Sequence, residues 1–262
     1  MATNASRTSK PFRPIADKSV EDLINELDKA EGEEPSFIFG IDYTSSNLKK
    51  GEHTFGGKSL HTLQKGTLNP YQQVLRSICS AFADDDDEYV DVIDVFGFGD
   101  KSTQGKNVFP FKADGCEGIE DVLSCYNKHT KKITLSAPTN FAPIINKAIQ
   151  IVKERKSYHL LVIIADGQVS SECKQQTEDA IVRASKYPLS IIMVGVGDGP
   201  WGTMKKYDDQ LPKRKFDNFQ FVDFHAAAED AVDEEEFLGN FVLQALMELP
   251  DQVKAIKRLG YI

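Results

Sequence analysis

Three short segments of this chain carry oxygen ligands in spacings that suit a hard cation. In the first, Asp42-Tyr43-Thr44-Ser45-Ser46 follows an apolar run. Side chains at i, i+2 and i+4 of an extended segment point to one side, so Asp42, Thr44 and Ser46 can converge. A helix would not do this, because i and i+2 lie on different faces. The second segment, Ala137-Pro138-Thr139-Asn140-Phe141, opens a helix-like stretch, and the third is Asp166-Gly167, at the end of the apolar run Leu160 to Ala165. Each has a plainer role alone: clusters of Ser, Thr and Asp make turns, and Thr139 or Asn140 is an adequate N-cap. Together, two carboxylates and three hydroxyls suit Mg2+, which takes octahedral oxygen coordination at about 2.0–2.1 Å and keeps several waters. So few anions leave the ion charge to spare for an acidic group from outside. Zinc is not favoured for these residues, since no Cys/His spacing accompanies them.

Positioning three such segments requires strands that end at a common edge. Continuous apolar runs bounded by turn formers predict buried strands at Phe37 to Ile41, Val90 to Phe98, Leu160 to Ala165, Leu189 to Val194 and Phe219 to Phe224. Between them, helical spacing predicts helices at Tyr71 to Phe82, Ile119 to Tyr126, Ala142 to Lys153 and Cys173 to Lys186, with a loop from Phe98 to about Ala113. Ser19 to Ala30 reads as a short helix capped by Ser19, and a last helix runs from Glu234 to Leu249, ended by Pro250. Strands alternating with helices imply an α/β domain with a doubly wound, mostly parallel sheet flanked by helices. Ligands of such sheets bind beyond the carboxyl ends of the strands, where the winding reverses. The division expected is a flexible tail over 1–17, a short helix and linker over 18–35, the main domain over 36–250 and a helical extension over 251–262.

The 262 residues carry 31 basic and 40 acidic side chains, a formal charge of −9. That balance argues against nucleic acid and anionic membrane as partners. No apolar run approaches the roughly 20 residues of a membrane span. The N-terminus lacks the apolar stretch of a secretory signal and has Ala2 where myristoylation needs glycine. Cys79, Cys116, Cys125 and Cys173 form neither a CxxC pair nor a dense framework, so four reduced thiols and a cytoplasmic location are expected.

The segments GIDYTSSN, APTNFAPII and IIADGQV resemble the three parts of the metal-ion-dependent adhesion site of von Willebrand factor A domains. NPYQQ, FGFGD, DAIVRASKYPLSIIMVGVGDGPW, FDNFQFVDF and LMELP narrow the resemblance to the copine-type A domain over residues 36–250, and to plant RING-type ubiquitin ligases that carry one. The resemblance implies the von Willebrand A (Rossmann-like) fold and a Mg2+ site, with Mn2+ or Ca2+ as alternatives. Asp42, Thr44, Ser46, Thr139 and Asp166 match its ligands, and Thr44 stands, as in copines, where the wider family usually has serine. It implies a protein partner donating an acidic side chain to the metal. The loop after the Leu189 to Val194 strand lies at the same sheet edge, which makes Asp198 and Trp201 candidate partner contacts near the metal face. These residues include neither paired C2 domains nor a RING segment. Ubiquitin transfer and calcium-driven membrane docking are therefore expected only where another chain supplies the module. An accessory or substrate-recruiting role in ubiquitination is the alternative function.

Enzymatic readings fare worse. A P-loop at Gly51 to Ser59 fails because Glu52 stands where the first glycine must be, and a dinucleotide fingerprint at Gly195 fails at Pro200. A Mg2+-dependent phosphohydrolase using Asp42 would need a second acid two residues later, where Thr44 stands. There is no GxSxG elbow, and the five histidines form no cluster with a nucleophile; His61 reads as a structural loop contact. The acidic run Asp84 to Glu88 lacks the EF-hand glycine. A non-enzymatic interaction module is the expectation.

Overall fold

The computed structural model describes residues 19–31, 35–82, 92–211, 213–228 and 231–262. The tail expected over 1–17 and the run Asp84 to Glu88 lie outside them. Among the described residues the strands are β1 (Ser36–Asp42), β2 (Val92–Phe98), β3 (Phe109–Pro110), β4 (Cys116–Glu117), β5 (His159–Ala165), β6 (Leu189–Gly195) and β7 (Phe219–Asp223). The helices are α1 (Val20–Glu31), α2 (Pro70–Ser80), α3 (Gly118–Thr130), α4 (Ala142–Arg155), α5 (Lys174–Ala184), α6 (Gly202–Gln210), α7 (Glu234–Leu246) and α8 (Leu249–Arg258).

The sheet order is β3-β2-β1-β5-β6-β7, with β4 also paired to β2. β1, β2, β5, β6 and β7 run parallel, and only β3 and β4 are antiparallel to their neighbour β2. The five long strands are buried on both faces, which is why their sequences read as apolar runs rather than as alternations. The pleat still sorts them: Phe37, Phe39 and Ile41 of β1 join Leu160, Val162 and Ile164 of β5 in one core with α1, α2, α3, α7 and α8. Ile38, Leu161, Ile163 and Ala165 face the other core, with α4, α5 and α6. Helices on both faces make the sheet doubly wound, as the sequence predicted.

From β1 the chain winds outward to β2, then crosses back to lay β5 on the other side of β1. The reversal therefore falls between β1 and β5, and the crevice beyond their carboxyl ends is the expected ligand position. Asp42 closes β1, and Asp166 follows β5 immediately.

Local signals explain most helix starts. Asn69 and Gln72 form a reciprocal capping box on α2, with Pro70 in the first turn. On α1, Ser19 Oγ accepts from Asp22 N while Asp22 Oδ2 accepts from Ser19 N.

The structure corrects three element readings. The loop expected from Phe98 to Ala113 contains β3, and β4 follows shortly after it; strands of two residues leave no periodicity to read. α6 went unread because GTMKKYDDQ is mostly polar and, among its described side chains, buries only Met204 and Tyr207. The helix that starts at Glu234 ends at Leu246 rather than at Leu249, and Pro250 sits in the first turn of α8, where its missing N–H costs nothing. Val253 and Ile256 of α8 are buried in the same core as Leu23 and Leu27 of α1.

Candidate metal centre

The crevice at the β1/β5 reversal gathers the side chains of five residues from three segments. Thr44 Oγ1 lies 3.0 Å from Ser46 Oγ, and Ser46 Oγ donates to Asp166 Oδ1 at 3.0 Å. Thr139 Oγ1 lies 3.5 Å from Thr44 Oγ1. Asp42 Oδ1 accepts from the Thr44 backbone N–H at 2.8 Å. Asp42 and Asp166 are fully buried, Thr44 and Thr139 nearly so, and Ser46 is half-buried.

The route to this convergence differs from the extended run expected of residues 42–46. Thr44 is extended, but Ser45–Leu48 form a 3-10 turn, and that turn brings Ser46 over the site. Thr139 does not cap α4. Asn140 takes that local role, accepting from Ala142 N at 3.0 Å, so the Thr139 hydroxyl is left to face the cluster. Parallel pairing of Thr44 with Ser136 lays the 134–140 segment against the β1 turn. A reciprocal clasp with the loop after Asp166 then fixes Thr139: its N–H donates to Ser170 Oγ, and its carbonyl accepts from Ser170 N.

The electrostatics are those of an uncompensated anionic pocket. Asp42 Oδ2 and Asp166 Oδ2 are buried with no hydrogen-bond partner. Burial, and then the charge of Asp166, hold Asp42 well above the ordinary carboxylate range. Burial raises Asp166 to about 6, even though the Ser46 hydroxyl opposes the shift. An orphaned buried carboxylate oxygen is costly, and two side by side fit a site built for a cation. The donor set is all oxygen, which fits Mg2+, Mn2+ or Ca2+ rather than a thiophilic ion.

Beneath the site, a polar network pins the backbone of Asp42; of its members, the sequence singled out only His61, as a structural loop contact, which is the role it has. Burial lowers His61 to about 4, so the ring is neutral. The Asp42 carbonyl can only accept, so Nε2–H donates to it at 2.8 Å, and Nδ1 accepts from Tyr126 OH at 2.7 Å. Asn47 Nδ2 donates to the carbonyls of Asp42 and Thr44, and Tyr71 OH donates to Asn47 Oδ1 at 2.7 Å. NPYQQ was the available signal, since it supplies both the Asn69 cap and Tyr71.

Gly99, just after β2, has φ +80°, and a Cβ there would lie 2.5 Å from Thr44 Cγ2 and 3.2 Å from Asp42 Oδ1. Nearby Asp100 is spent on its own loop: burial would raise it, but the hydroxyls and N–H groups of Thr103 and Ser102 bring it below the ordinary range.

Asp198 and Trp201 lie at the carboxyl end of β6. The Asp198 carboxylate turns inward, accepting from His53 N, Thr54 N and Thr54 Oγ1, and so ties down the loop after the β1 turn. Trp201 is half-buried, its ring 5.5 Å from that of Phe221 and so close over Gly195 that a Cβ there would come within 2.8 Å of it.

Comparison with known proteins agrees with the resemblance. The copine family model matches residues 59–262. The chain is 46% identical over 250 residues to copine family protein 2 of Caenorhabditis elegans, covering 94% of this chain and 3% of that protein. It is 44% identical over 268 residues to the E3 ubiquitin-protein ligase RGLG5 of Arabidopsis thaliana, covering 97% and 61%. With the E3 ubiquitin-protein ligase RGLG3 of the same plant the identity is 43% over 261 residues, covering 94% and 70%. The chain thus spans only part of each of these relatives.

Among solved structures, the manganese-loaded TRAP protein of Plasmodium vivax aligns with a TM-score of 0.47 at 14% identity, covering 74% of this chain and 70% of that one. A von Willebrand factor type A protein from Catenulispora acidiphila gives 0.46 at 12%, covering 84% and 43%. The family match over most of the length, together with the identities to copine proteins, establishes that the chain belongs to the copine family.

Proposed function

We propose that this chain is a non-enzymatic interaction module that binds partner proteins through a divalent cation held by Asp42, Thr44, Ser46, Thr139 and Asp166. The observation that carries the reading is the pair of buried carboxylates, each with an oxygen lacking a partner. Among the described residues neither forms an ion pair with Lys or Arg. When bound, Mg2+ (or Mn2+ or Ca2+) supplies a positive coordination position that a carboxylate from another protein can fill. The chain's own part is to hold its carboxylates apart from water and to keep three hydroxyls aimed at the same point, through the Ser170 clasp and the His61 and Asn47 bonds. Asp198, whose carboxylate holds the loop carrying His53 and Thr54, and Trp201 are the proposed partner contacts.

The test is affinity capture from cell extract with and without EDTA, using wild type and Asp42→Ala. Proteins captured by wild type in Mg2+ and lost in both other conditions support the reading. Capture unaffected by chelator and by the substitution would refute it.

Identity to ubiquitin ligases over 61% and 70% of their length favours a second reading, recruitment of substrates in ubiquitination. Affinity purification that recovers a RING protein or an E2 enzyme supports it, and recovery of neither removes it.

A further inference from the structure

A second cluster of ligating atoms lies away from the β1/β5 crevice, where β4 feeds directly into α3. Cys116, Asp121 and Cys125 each present one ligand atom, and the three atoms lie within 4.8 Å of one another. The sequence gives no hint of this, since nine positions separate the cysteines and neither stands in a CxxC pair. The fold makes the cluster in two ways. Asp121 and Cys125 are four apart on α3 and so share a face. Gly118, at φ +70°, turns the chain so sharply after β4 that Cys116 comes back over that face.

From this geometry we infer that Cys116, Cys125 and Asp121 form a binding site for a zinc-class divalent cation, with a fourth position open to solvent or to an outside ligand. Two thiolates and a carboxylate are a donor set for which zinc is suited and magnesium is not. Ligand atoms on a tetrahedron with Zn–S near 2.3 Å and Zn–O near 2.1 Å lie roughly 3.4–3.8 Å apart. Cys125 Sγ and Asp121 Oδ1 are already 3.7 Å apart.

The other carboxylate oxygen is occupied and oriented: Asp121 Oδ2 accepts from Glu117 N at 3.0 Å and from Lys112 Nζ at 2.8 Å. That leaves Oδ1 facing the thiols, the kind of outer support that metal-ligating carboxylates have. The charges also close. Two thiolates, one carboxylate, a divalent cation and the Lys112 ammonium sum to zero. Cys116 is fully buried, while the Asp121 side chain is 30% exposed and offers an entry path.

The test is titration of the TCEP-reduced 262-residue chain with Co2+ and with Cd2+, followed by the thiolate-to-metal charge-transfer absorption. An all-oxygen site gives no such band, so the measurement is independent of the Asp42 site and of the function proposed for it. The expected result is a band saturating at one equivalent, kept in Asp42→Ala, Cys79→Ser and Cys173→Ser, and abolished in Cys125→Ser. Lys112→Met should weaken Co2+ binding about 10-fold through the loss of carboxylate support. Cys125 is only half-buried, so its serine variant keeps the test usable if Cys116→Ser fails to fold. No band at one equivalent of either metal, or a band that survives in Cys125→Ser, would overturn the proposal.

Discussion

The buried acids make Asp42 the most diagnostic single position. Asp42→Asn keeps size and shape but removes one of two neighbouring buried charges, so without metal the variant is expected to melt no lower than wild type. A ligand at 100 times its Kd stabilises the native state by about 2.7 kcal/mol. For a domain of this size that is a melting shift of about 5–10 °C. Wild type should show such a shift in saturating Mg2+ or Mn2+, and Asp42→Asn should lose it; differential scanning calorimetry on both proteins checks the pair of outcomes. The same acids fix a pH dependence. Both have folded-state pKa values raised above the unfolded range, Asp166 to about 6. Between the unfolded and folded pKa values the native state binds more protons than the unfolded state, so metal-free stability falls as pH rises through that window. A bound cation offsets this loss only where the acids are ionised. Urea melts from pH 4.5 to 7.5 should show the metal-free midpoint falling and the metal-induced gain growing with pH; a gain independent of pH would contradict the assignment.

At the level of strands, turns and loops, the site depends on backbone that cannot move. Gly99 is the tightest point: alanine there meets an unfavourable φ worth about 1 kcal/mol and a clash with Thr44. Gly99→Ala is expected to lower the melting temperature and to weaken Mn2+ binding, measured by calorimetry or by the electron paramagnetic resonance of free Mn2+. His61→Ala strips the Asp42 carbonyl of its shortest bond and leaves Tyr126 OH only the longer contact to Asn69 Oδ1, at a cost of about 1–3 kcal/mol. A chemical melt measures that cost, and weaker metal binding in the same protein would show that the network positions Asp42 as well as stabilising the fold.

For the molecule as a whole, the two ends of the described chain close one core. α1 packs against both α8 and α7, with Leu23, Leu27, Val253 and Ile256 all but fully buried. Ile256→Ala in α8 is expected to cost about 2–5 kcal/mol in a urea melt, as for a core position rather than for an appended tail. Among the described residues no helix is long and apolar enough to cross a membrane.

What could be read along the chain was whatever local physics encodes. β1, β2, β5, β6 and β7 announced themselves because strands buried on both faces must be apolar throughout, and α2 through its capping residues. Asp42, Thr139 and Asp166 could be singled out because each stands at a strand end or just ahead of a helix that the local pattern already marks, and Thr44 and Ser46 by their spacing from Asp42. Pairings between distant segments were not legible. β3 and β4 exist because β2 offers them an edge, and α6 because Met204 and Tyr207 find a core. The contact of Ser46 with Asp166, the Ser170 clasp on Thr139 and the His61 bond to the Asp42 carbonyl depend on partners far away in the chain. The meeting of Cys116 with Cys125 likewise needs the Gly118 turn and the register of α3 against β4. Such contacts join residues carried by different elements, and the local pattern of neither partner reveals them.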